Sequence, residues 1–262
     1  MTKKAMTSEK ASKIKKRGHE NAREFAERLG LGKEFKSDLT AKKDVIDTFG
    51  HSYSVKSGEK KWQIFLYGET RFKHNTEFGA TEFSKLFLEC IYAFPERREE
   101  YLKNKNTYKS QLQEPMRKLC ELLQDKNKLR FLLNKSIFNS GEVDFLVVKE
   151  KNSFHVFWRD DVVEVLSENL EVVNSKKRQR EQFDDQKVVF KYLGKTIGEI
   201  EMRNDSDVHY REVKFWLSKG KTLELLTSKI NLLFESQDKE ICVYSNNPKN
   251  RYVKAFLNLV KK

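Results

Sequence analysis

The sequence predicts an α/β fold in which a mixed β-sheet is flanked by helices. A helical pattern fills most of the first thirty residues, a block of helices is expected at 81–135, and period-two apolar residues mark strands within 136–262. The chain has three prolines and no long Gly/Ser-rich linker, so no boundary between domains is marked. We therefore predict a single domain over 1–262, in which 1–70 form a helix and a β-meander.

The first element is predicted to be a basic amphipathic helix from Ser8 to Leu29. The glycines of "LGLG" at 29–32 are expected to end it. The apolar residues spaced to share one broad face of this helix are Ile14, Ala22, Phe25, Ala26 and Leu29.

Three short strands are predicted next. "KKDVID" at 42–47 and "HSYSVKS" at 51–57 are joined by the turn "TFG", and "WQIFLYG" at 62–68 follows the turn "SGEKK". Consecutive short strands joined by tight turns are typical of a β-meander, so these three are expected to form one.

Helices and further strands fill the rest of the chain. Apolar spacing predicts helices at 81–94, 97–104, 108–124 and 126–134, which would cover a sheet face. After Gly141, "VDFLVV" and "SFHVFW" predict a hairpin, and "DDVVEVLSE" predicts a helix. Two strands are predicted in "KVVFKYLGKTIGEIEMRND" and another in "HYREVKFWLS", and "RYVKAFLNLVKK" predicts a C-terminal helix.

Charge and cysteine usage limit the classes of function. The chain has 52 lysines and arginines against 39 aspartates and glutamates, a net charge of +13, which favours a polyanionic partner. A merely lysine-rich protein would have the same balance.

The cysteines give no sign of disulfides. Their number is odd, and Cys90, Cys120 and Cys242 lie far apart, which indicates a reduced, cytoplasmic protein. No apolar run approaches the roughly 18 residues of a membrane span, so no membrane is expected as a partner. "LGKTIG" lacks the spacing of a P-loop, and no organic cofactor is expected.

Polar residues on the predicted meander have the chemistry of a phosphodiesterase centre. Side chains alternate along a strand, so Ser54 and Lys56 face away from Tyr53 and Val55, which are expected in the core. The tight turn places Asp44 of the preceding strand near Lys56. Phosphodiester cleavage uses a divalent cation held by acidic oxygens, and a lysine that activates water and stabilises transition-state charge. Asp44 and Lys56 supply two of those parts.

This arrangement resembles the PD-(D/E)XK nuclease superfamily, and within it the type II restriction endonucleases. Those enzymes place a helix before a β-meander, an aspartate at the start of the second strand, and (D/E)-x-K on the next; "KKDVID" and "SVK" match these motifs. The resemblance covers about the first 70 residues and implies a restriction-endonuclease-like core. It further implies that Glu20 of the first helix reaches the metal site, and that Gln63 follows the lysine as in some branches.

Ser54 stands where the family has a carboxylate. A hydroxyl is a neutral and weaker ligand for Mg²⁺, so another acid is expected to complete the site. Glu20 is the preferred substitute; Asp47 is an alternative, although strand alternation places it on the face opposite Asp44. A literal E-x-K occurs at Glu59–Lys61, but its glutamate is expected in a turn, pointing to solvent.

A second imitation of the motif occurs in "EVDFLVVKEK", where Asp144 precedes Glu150 and Lys151. The later carboxylate and the lysine fall at the predicted hairpin turn rather than on the partner strand. A solvated turn is the stronger interpretation, so we expect no site there.

A polar stretch near the C-terminus, "GEIEMRNDSDVHYREVKFW", is a candidate for DNA recognition. Bases of a duplex are read by arginine to guanine, asparagine to adenine and acids to cytosine, held on a rigid edge. A polar turn between two exposed strands would have the same composition. The candidate DNA-binding residues are Arg203, Asn204, Asp205, Ser206, His209, Arg211 and Lys214.

The sequence thus predicts a Mg²⁺-dependent endonuclease that cuts double-stranded DNA. Asp44 and Glu20 would bind Mg²⁺, Lys56 would activate water, and Ser54 and Gln63 would position water or metal. The resemblance to restriction enzymes implies a homodimer on a short symmetric site. Two alternatives stay open: a nucleic-acid-binding protein without catalysis, and a repair or mobile-element nuclease of the same superfamily.

Overall fold

The computed structural model describes residues 8–32, 35–39, 42–74, 78, 81–177, 182–204 and 206–261. Helices and two β-sheets, one of seven strands and one of five, confirm the predicted mixed α/β class with a mixed sheet flanked by helices. The chain forms two compact units and passes between them after residues 62, 132, 168 and 218. Because each unit draws on separated segments, no single point in the sequence divides them, and the one-domain prediction stays a prediction.

The elements agree closely with the sequence patterns over the helical block and the hairpins. In the first half they are α1 (Ser8–Arg28), β1 (Lys36–Asp38), β2 (Lys43–Ile46), β3 (Ser52–Lys56), β4 (Lys61–Tyr67), α2 (Glu69–His74), α3 (Glu82–Tyr92), α4 (Arg98–Lys103), α5 (Lys105–Gln124) and α6 (Lys126–Phe138). In the second half they are β5 (Phe145–Glu150), β6 (Ser153–Trp158), α7 (Arg159–Asn169), β7 (Glu171–Asn174), β8 (Lys187–Tyr192), β9 (Lys195–Arg203), β10 (Glu212–Ser218), α8 (Lys219–Lys229), β11 (Leu232–Glu235), β12 (Ile241–Tyr244) and α9 (Arg251–Val260). Within the described residues, no helix is long and apolar enough to cross a membrane.

The seven-stranded sheet has the order β1-β2-β3-β5-β6-β12-β11. β1, β2 and β3 form an antiparallel meander that follows α1. β3 then pairs in parallel with β5, and β6 pairs in parallel with β12, so the sheet is mixed. The parallel neighbour of β3 comes from a segment about ninety residues further along the chain.

The meander does not have the third strand that the sequence predicts. "WQIFLYG" forms a strand, β4, but it pairs with β10 in the five-stranded sheet. β3 has β2 on one side and β5 on the other, so neither of its edges is open to β4. The strand that completes the meander is β1, whose three residues are all exposed and therefore carry no apolar alternation.

One face of the seven-stranded sheet packs against α1 and α9. Phe25 of α1 and Phe256 of α9 are completely buried in this core. Tyr53 of β3 stacks on Phe145 with ring centroids 5.2 Å apart and meets Phe25 edge-on at 5.4 Å. Because alternation sends Tyr53 into this core, Ser54 faces the other side of the sheet.

The five-stranded sheet has the order β4-β10-β9-β8-β7. α5 lies against β7 and β8, and α3 lies against β10. Two helices of the predicted block, α3 and α5, therefore cover this sheet. Its packing includes an aromatic cluster in which Phe65 lies 5.7–6.3 Å, between ring centroids, from Phe72, Phe78, Phe87 and Phe215.

Candidate active site

The β2–β3 hairpin brings Asp44 and Ser54 face to face. Val45 pairs with Tyr53 across the hairpin, so one step further from the turn Asp44 stands opposite Ser54. Val45 and Tyr53 have no exposed surface and point into the core. Asp44 and Ser54 therefore point from the other face, as strand alternation predicts.

Two hydrogen bonds join Asp44, Ser54 and Lys56, and a third holds Asp44 to the backbone of Val55. The backbone N–H of Val55 donates to Asp44 Oδ2 at 2.7 Å, and Ser54 Oγ donates to the same oxygen at 3.4 Å. Lys56 Nζ donates to Ser54 Oγ at 2.7 Å. The serine hydroxyl thus links the lysine to the aspartate, and none of these bonds uses Asp44 Oδ1.

The burial of Ser54 decides what its hydroxyl can do. A serine bonded to a lysine is also the arrangement of nucleophile and base in some hydrolases. A nucleophile has to reach its substrate, whereas Ser54 has no exposed surface. The hydroxyl is therefore suited to holding the Lys56 ammonium in place, not to attacking a substrate.

Asp44 also lines a cleft of about 700 Å³ between α1 and the first strands of the meander. Glu20 lines the same cleft from α1. The two residues that the sequence predicts as metal ligands thus both line one cavity. The other polar side chains along it are Ser12, Lys16, His19, Arg23 and Ser37.

Glu20 differs from the other glutamates of α1. Glu9, Glu24 and Glu27 form ion pairs four residues away, at 2.8, 3.4 and 3.9 Å respectively. Glu20 forms no ion pair or side-chain hydrogen bond with any described residue, although Lys16 lies four positions before it. A lysine that precedes its glutamate is the less favourable order for such a helical pair. The Glu20 carboxylate is therefore available to a ligand in the cleft.

Asp47, the alternative acid, is fully engaged in the hairpin turn. Its carboxylate accepts hydrogen bonds from the N–H groups of Phe49 and His51, at 2.8 and 2.9 Å, and from the Tyr53 hydroxyl at 2.7 Å. His51 Nδ1 lies 3.0 Å from Asp47 Oδ2, the oxygen that also accepts from Tyr53. Burial alone would raise the pKa of Asp47, but the bonds from His51 and Tyr53 outweigh it and lower the pKa. Asp47 therefore stabilises the turn, and its role as the alternative metal ligand stays a prediction without support from these contacts.

The two other imitations of the motif lie at surface turns, as predicted. Glu59 is exposed and pairs with Arg17 at 2.8 Å. Lys151 is exposed in the turn between β5 and β6, where its φ is 53°. Asp144 accepts hydrogen bonds from the backbone N–H and the hydroxyl of Ser52, both at 3.0 Å, so its carboxylate ties β5 to β3.

Gln63 is not brought beside Lys56 by strand pairing. It is exposed on β4, which belongs to the five-stranded sheet and not to the meander. The expectation that β4 continues the meander is wrong, because β5 occupies that edge of β3. The role predicted for Gln63 stays a prediction without this support.

The polar stretch near the C-terminus forms the end of β9, a loop, and the start of β10. Asp205 lies outside the described residues. The loop is tied to α4 by Arg98, which pairs with Asp207 at 2.8 Å and donates to the carbonyl of Asn204 at 3.4 Å. Ser206 Oγ is buried without a hydrogen-bond partner among the described atoms.

The unit that comprises residues 63–132 and 169–218 contains the five-stranded sheet and is called the five-stranded unit below. The charged residues of this stretch are largely engaged within it. His209 Nδ1 lies 2.8 Å from Glu212, and Lys214 pairs with Glu201 at 3.6 Å. Arg203 is the last residue of β9. Arg211 donates to the carbonyl of Ile91 at 3.4 Å and lies 3.8 Å from Glu69. Their part in DNA recognition stays a prediction.

Two features of the site were not predicted from the sequence. Lys149 of β5 donates to Asn21 Oδ1 at 2.8 Å and also bonds Glu24, which ties β5 to α1 one turn from Glu20. That contact joins distant segments and has no local signal. Lys16, His19 and Arg23 line the cleft, and their helical spacing was a signal that could have identified them.

The donor set determines whether the site fits a magnesium ion. Among the described residues, no three or more His, Cys, Asp or Glu side chains are grouped to hold a metal. Mg²⁺, however, usually keeps several waters and binds through one or two carboxylates together with substrate phosphates. Asp44 and Glu20 both line one cleft, so the number of carboxylates there fits that pattern. With a neutral Ser54 they would hold the ion less tightly than three acids.

Comparison with known proteins adds no family to this description. A scan against protein-family models gives no match, and a search of curated proteins finds no significant match.

Proposed function

We propose that the protein is a Mg²⁺-dependent endonuclease that hydrolyses phosphodiester bonds of double-stranded DNA. The observation that carries the proposal is the hydrogen-bonded cluster of Asp44, Ser54 and Lys56 on adjacent strands, with Glu20 on the same cleft as Asp44. The order of α1, β1, β2 and β3 supports the PD-(D/E)XK resemblance, because β1 makes the Asp44 strand the second of the meander.

Each residue would act through its position. Asp44 and Glu20 would hold Mg²⁺, which when bound polarises the phosphate and favours ionisation of water. Lys56 has three ammonium donors, of which the Ser54 hydroxyl accepts one. The remaining donors can orient the attacking water and stabilise the negative charge that develops on the phosphate oxygens.

Ser54 would set the electrostatics of the lysine. A carboxylate at this position would pair with the ammonium and neutralise it, whereas the hydroxyl holds the ammonium at 2.7 Å and leaves its charge in place. With serine at this position the site would bind the metal less tightly, but no carboxylate at position 54 would offset the positive charge of the Lys56 ammonium.

The proposal extends to a cytoplasmic type II restriction enzyme that acts as a homodimer on a symmetric site. The resemblance supports this extension, together with the match between protein two-fold symmetry and palindromic DNA. The net charge of +13 supports a polyanionic substrate, and three free, buried cysteines are typical of a reducing compartment.

Plasmid cleavage with Mg²⁺ or with EDTA tests the proposal. The wild-type protein is expected to cut only with Mg²⁺, and Asp44→Asn and Lys56→Met are each expected to lower the rate by about 100-fold or more. Lys239→Met is the matched control, because this side chain is exposed and pairs only weakly, at 3.9 Å, with Glu235.

The outcomes separate the competing functions. Undiminished cutting by Asp44→Asn and Lys56→Met would refute the site. Salt-sensitive binding without cutting would favour the non-catalytic nucleic-acid-binding protein. Sequencing of the fragment ends distinguishes the enzymes, since fixed ends indicate a restriction enzyme and scattered ends a repair or mobile-element nuclease.

A further inference from the structure

One face of α1 presents a row of polar side chains to the cleft. Ser12, Lys16, His19 and Arg23 all line it, at intervals of four, three and four residues. This spacing places them on one face of a helix. We call these four residues the cleft stripe; Glu20 lies within its length.

The cations of the cleft stripe are less engaged in ion pairs than Lys13 and Arg17, which also lie on α1. Lys16 and His19 form no ion pair or side-chain hydrogen bond with any described residue. Arg23 reaches Glu27 only at 3.9 Å, with both side chains about half exposed or more, a geometry that contributes little. Away from the cleft, Lys13 pairs with Glu9 and Arg17 pairs with Glu59, both at 2.8 Å.

We infer that the cleft stripe binds the phosphate backbone of one strand of the nucleic acid. The inference rests on the proposed function, because the stripe flanks Glu20 and opens onto the cleft that Asp44 lines. From Lys16 to Arg23 the helix rises roughly 10 Å. One strand of a DNA duplex carries a phosphate about every 3.4 Å of axis, so this length matches about three phosphates.

The chemistry of the stripe favours backbone contact over base recognition. It offers two permanent cations, a hydroxyl and one imidazole, and it contains no Phe, Tyr or Trp ring on which successive bases could stack. Contacts of this kind position a duplex and carry no sequence information. Binding through the stripe should therefore be equally strong for duplexes of unrelated sequence.

Fluorescence anisotropy with a labelled duplex in EDTA tests the stripe apart from catalysis. Lys16→Ala and Arg23→Ala are each expected to weaken binding several-fold at low salt. Each should also reduce the slope of log K against log salt by about 0.9, so the variant loses about 3.5-fold less affinity than wild type over a fourfold rise in salt. Lys13→Ala, which removes the same charge from the same helix outside the cleft, should change neither quantity.

The pattern of failure identifies which proposal is at fault. If Lys16→Ala and Arg23→Ala match Lys13→Ala, or if wild type does not bind the duplex, the stripe is refuted. A parallel cleavage assay of the same proteins with Mg²⁺ supplies the second readout. Binding that depends on the stripe, with no cutting by wild type, refutes the nuclease and leaves the stripe standing. Lys16→Arg keeps the charge and should restore binding.

Discussion

Charged side chains lie in different settings at two places, one in the five-stranded unit and one in the unit that contains the seven-stranded sheet, called the seven-stranded unit below. In the five-stranded unit, Lys187 lies between Glu199 and Glu201, at 3.0 and 2.7 Å. In the seven-stranded unit, Lys16 and Glu20 face one cleft from the same helix and do not pair. Charges that are paired and partly buried are committed to the fold, whereas unpaired charges around a cleft can meet a ligand. Pairing, and not the number of charges, therefore distinguishes a binding surface.

The same distinction bears on the predicted DNA-recognition residues. His209 and Lys214 have carboxylate partners within the five-stranded unit. Asn204 is contacted by Arg98 only through its backbone carbonyl. Base recognition by this loop stays a prediction. The amide side chain of Asn204 is a better candidate for contacting a base than His209 or Lys214, which already have carboxylate partners.

The largest expected effect comes from Asp47, a paired carboxylate within the seven-stranded unit. Asp47→Ala leaves His51 and Tyr53 buried without their partner, and should lower the free energy of unfolding by about 3 kcal/mol. Asp44→Ala should cost about 1 kcal/mol, since Val55 and Ser54 are its only hydrogen-bond donors among the described residues. Urea unfolding measures the free energy of unfolding of both variants. Equal decreases would contradict the view that Asp47 holds the turn together whereas Asp44 is available to a ligand.

The contribution of Asp47 should also depend on pH. Its folded-state pKa is lowered from 3.8, because the bonds from His51 and Tyr53 outweigh burial. The stabilisation is therefore present above the unfolded pKa and is lost as pH falls through the folded pKa. The difference in stability between wild type and Asp47→Ala should shrink below about pH 3.8.

Substitution of Glu20 tests whether an unpaired carboxylate in the cleft takes part in cleavage. Glu20→Gln should lower the Mg²⁺-dependent cleavage rate by about 100-fold, because it removes one of the two carboxylates of the cleft. Its unfolding free energy should not change, because Glu20 has no side-chain partner among the described residues. Glu9→Gln on the same helix serves as the control and should cut at the wild-type rate. A Glu20→Gln enzyme with full activity would show that the cleft holds no ion through this residue.

Ser54 offers a sharper test of metal binding that does not require activity. Ser54→Asp places a second carboxylate beside Asp44, so the variant should melt at a lower temperature without Mg²⁺ and gain more than wild type when Mg²⁺ is added. A tenfold tighter site corresponds to about 1.4 kcal/mol of added stabilisation. Ser54→Ala, which adds no charge, should show no such gain. An equal Mg²⁺ response in wild type and Ser54→Asp would contradict a metal at this position.

The smallest expected effect belongs to the paired charges of the five-stranded unit. Lys187→Met should lower stability by about 1 kcal/mol, since the side chain is partly open to solvent, and should leave cleavage unchanged. Burial lowers the pKa of Lys187, but Glu201 and Glu199 outweigh it and raise the pKa above 10.5. The contribution is therefore complete below the unfolded pKa and is lost as pH rises through the folded pKa. Loss of cleavage by Lys187→Met with unchanged stability would show that the five-stranded unit takes part in the active site.

Much of the local structure was predictable because each element is specified by its own residues. The alternation of "YSVK" sends Tyr53 into the core and leaves Ser54 on the other face, and the short turn places Asp44 opposite it. The helices at 81–134 follow from apolar spacing in the same way. β1 was missed because its three exposed residues have no pattern, and β4 was given the wrong partner because alternation identifies a strand without identifying its neighbour.

By itself, the sequence determined the mixed α/β class, the amphipathic α1, the β2–β3 hairpin and the juxtaposition of Asp44, Ser54 and Lys56. Only the tertiary structure decided that β5 is the parallel neighbour of β3, that Asp47 is committed to its turn, and that Glu20 shares a cleft with Asp44. The physical reason is the range of the interactions. Backbone periodicity acts over a few residues, whereas sheet edges and carboxylate partners are settled by segments far apart in the chain.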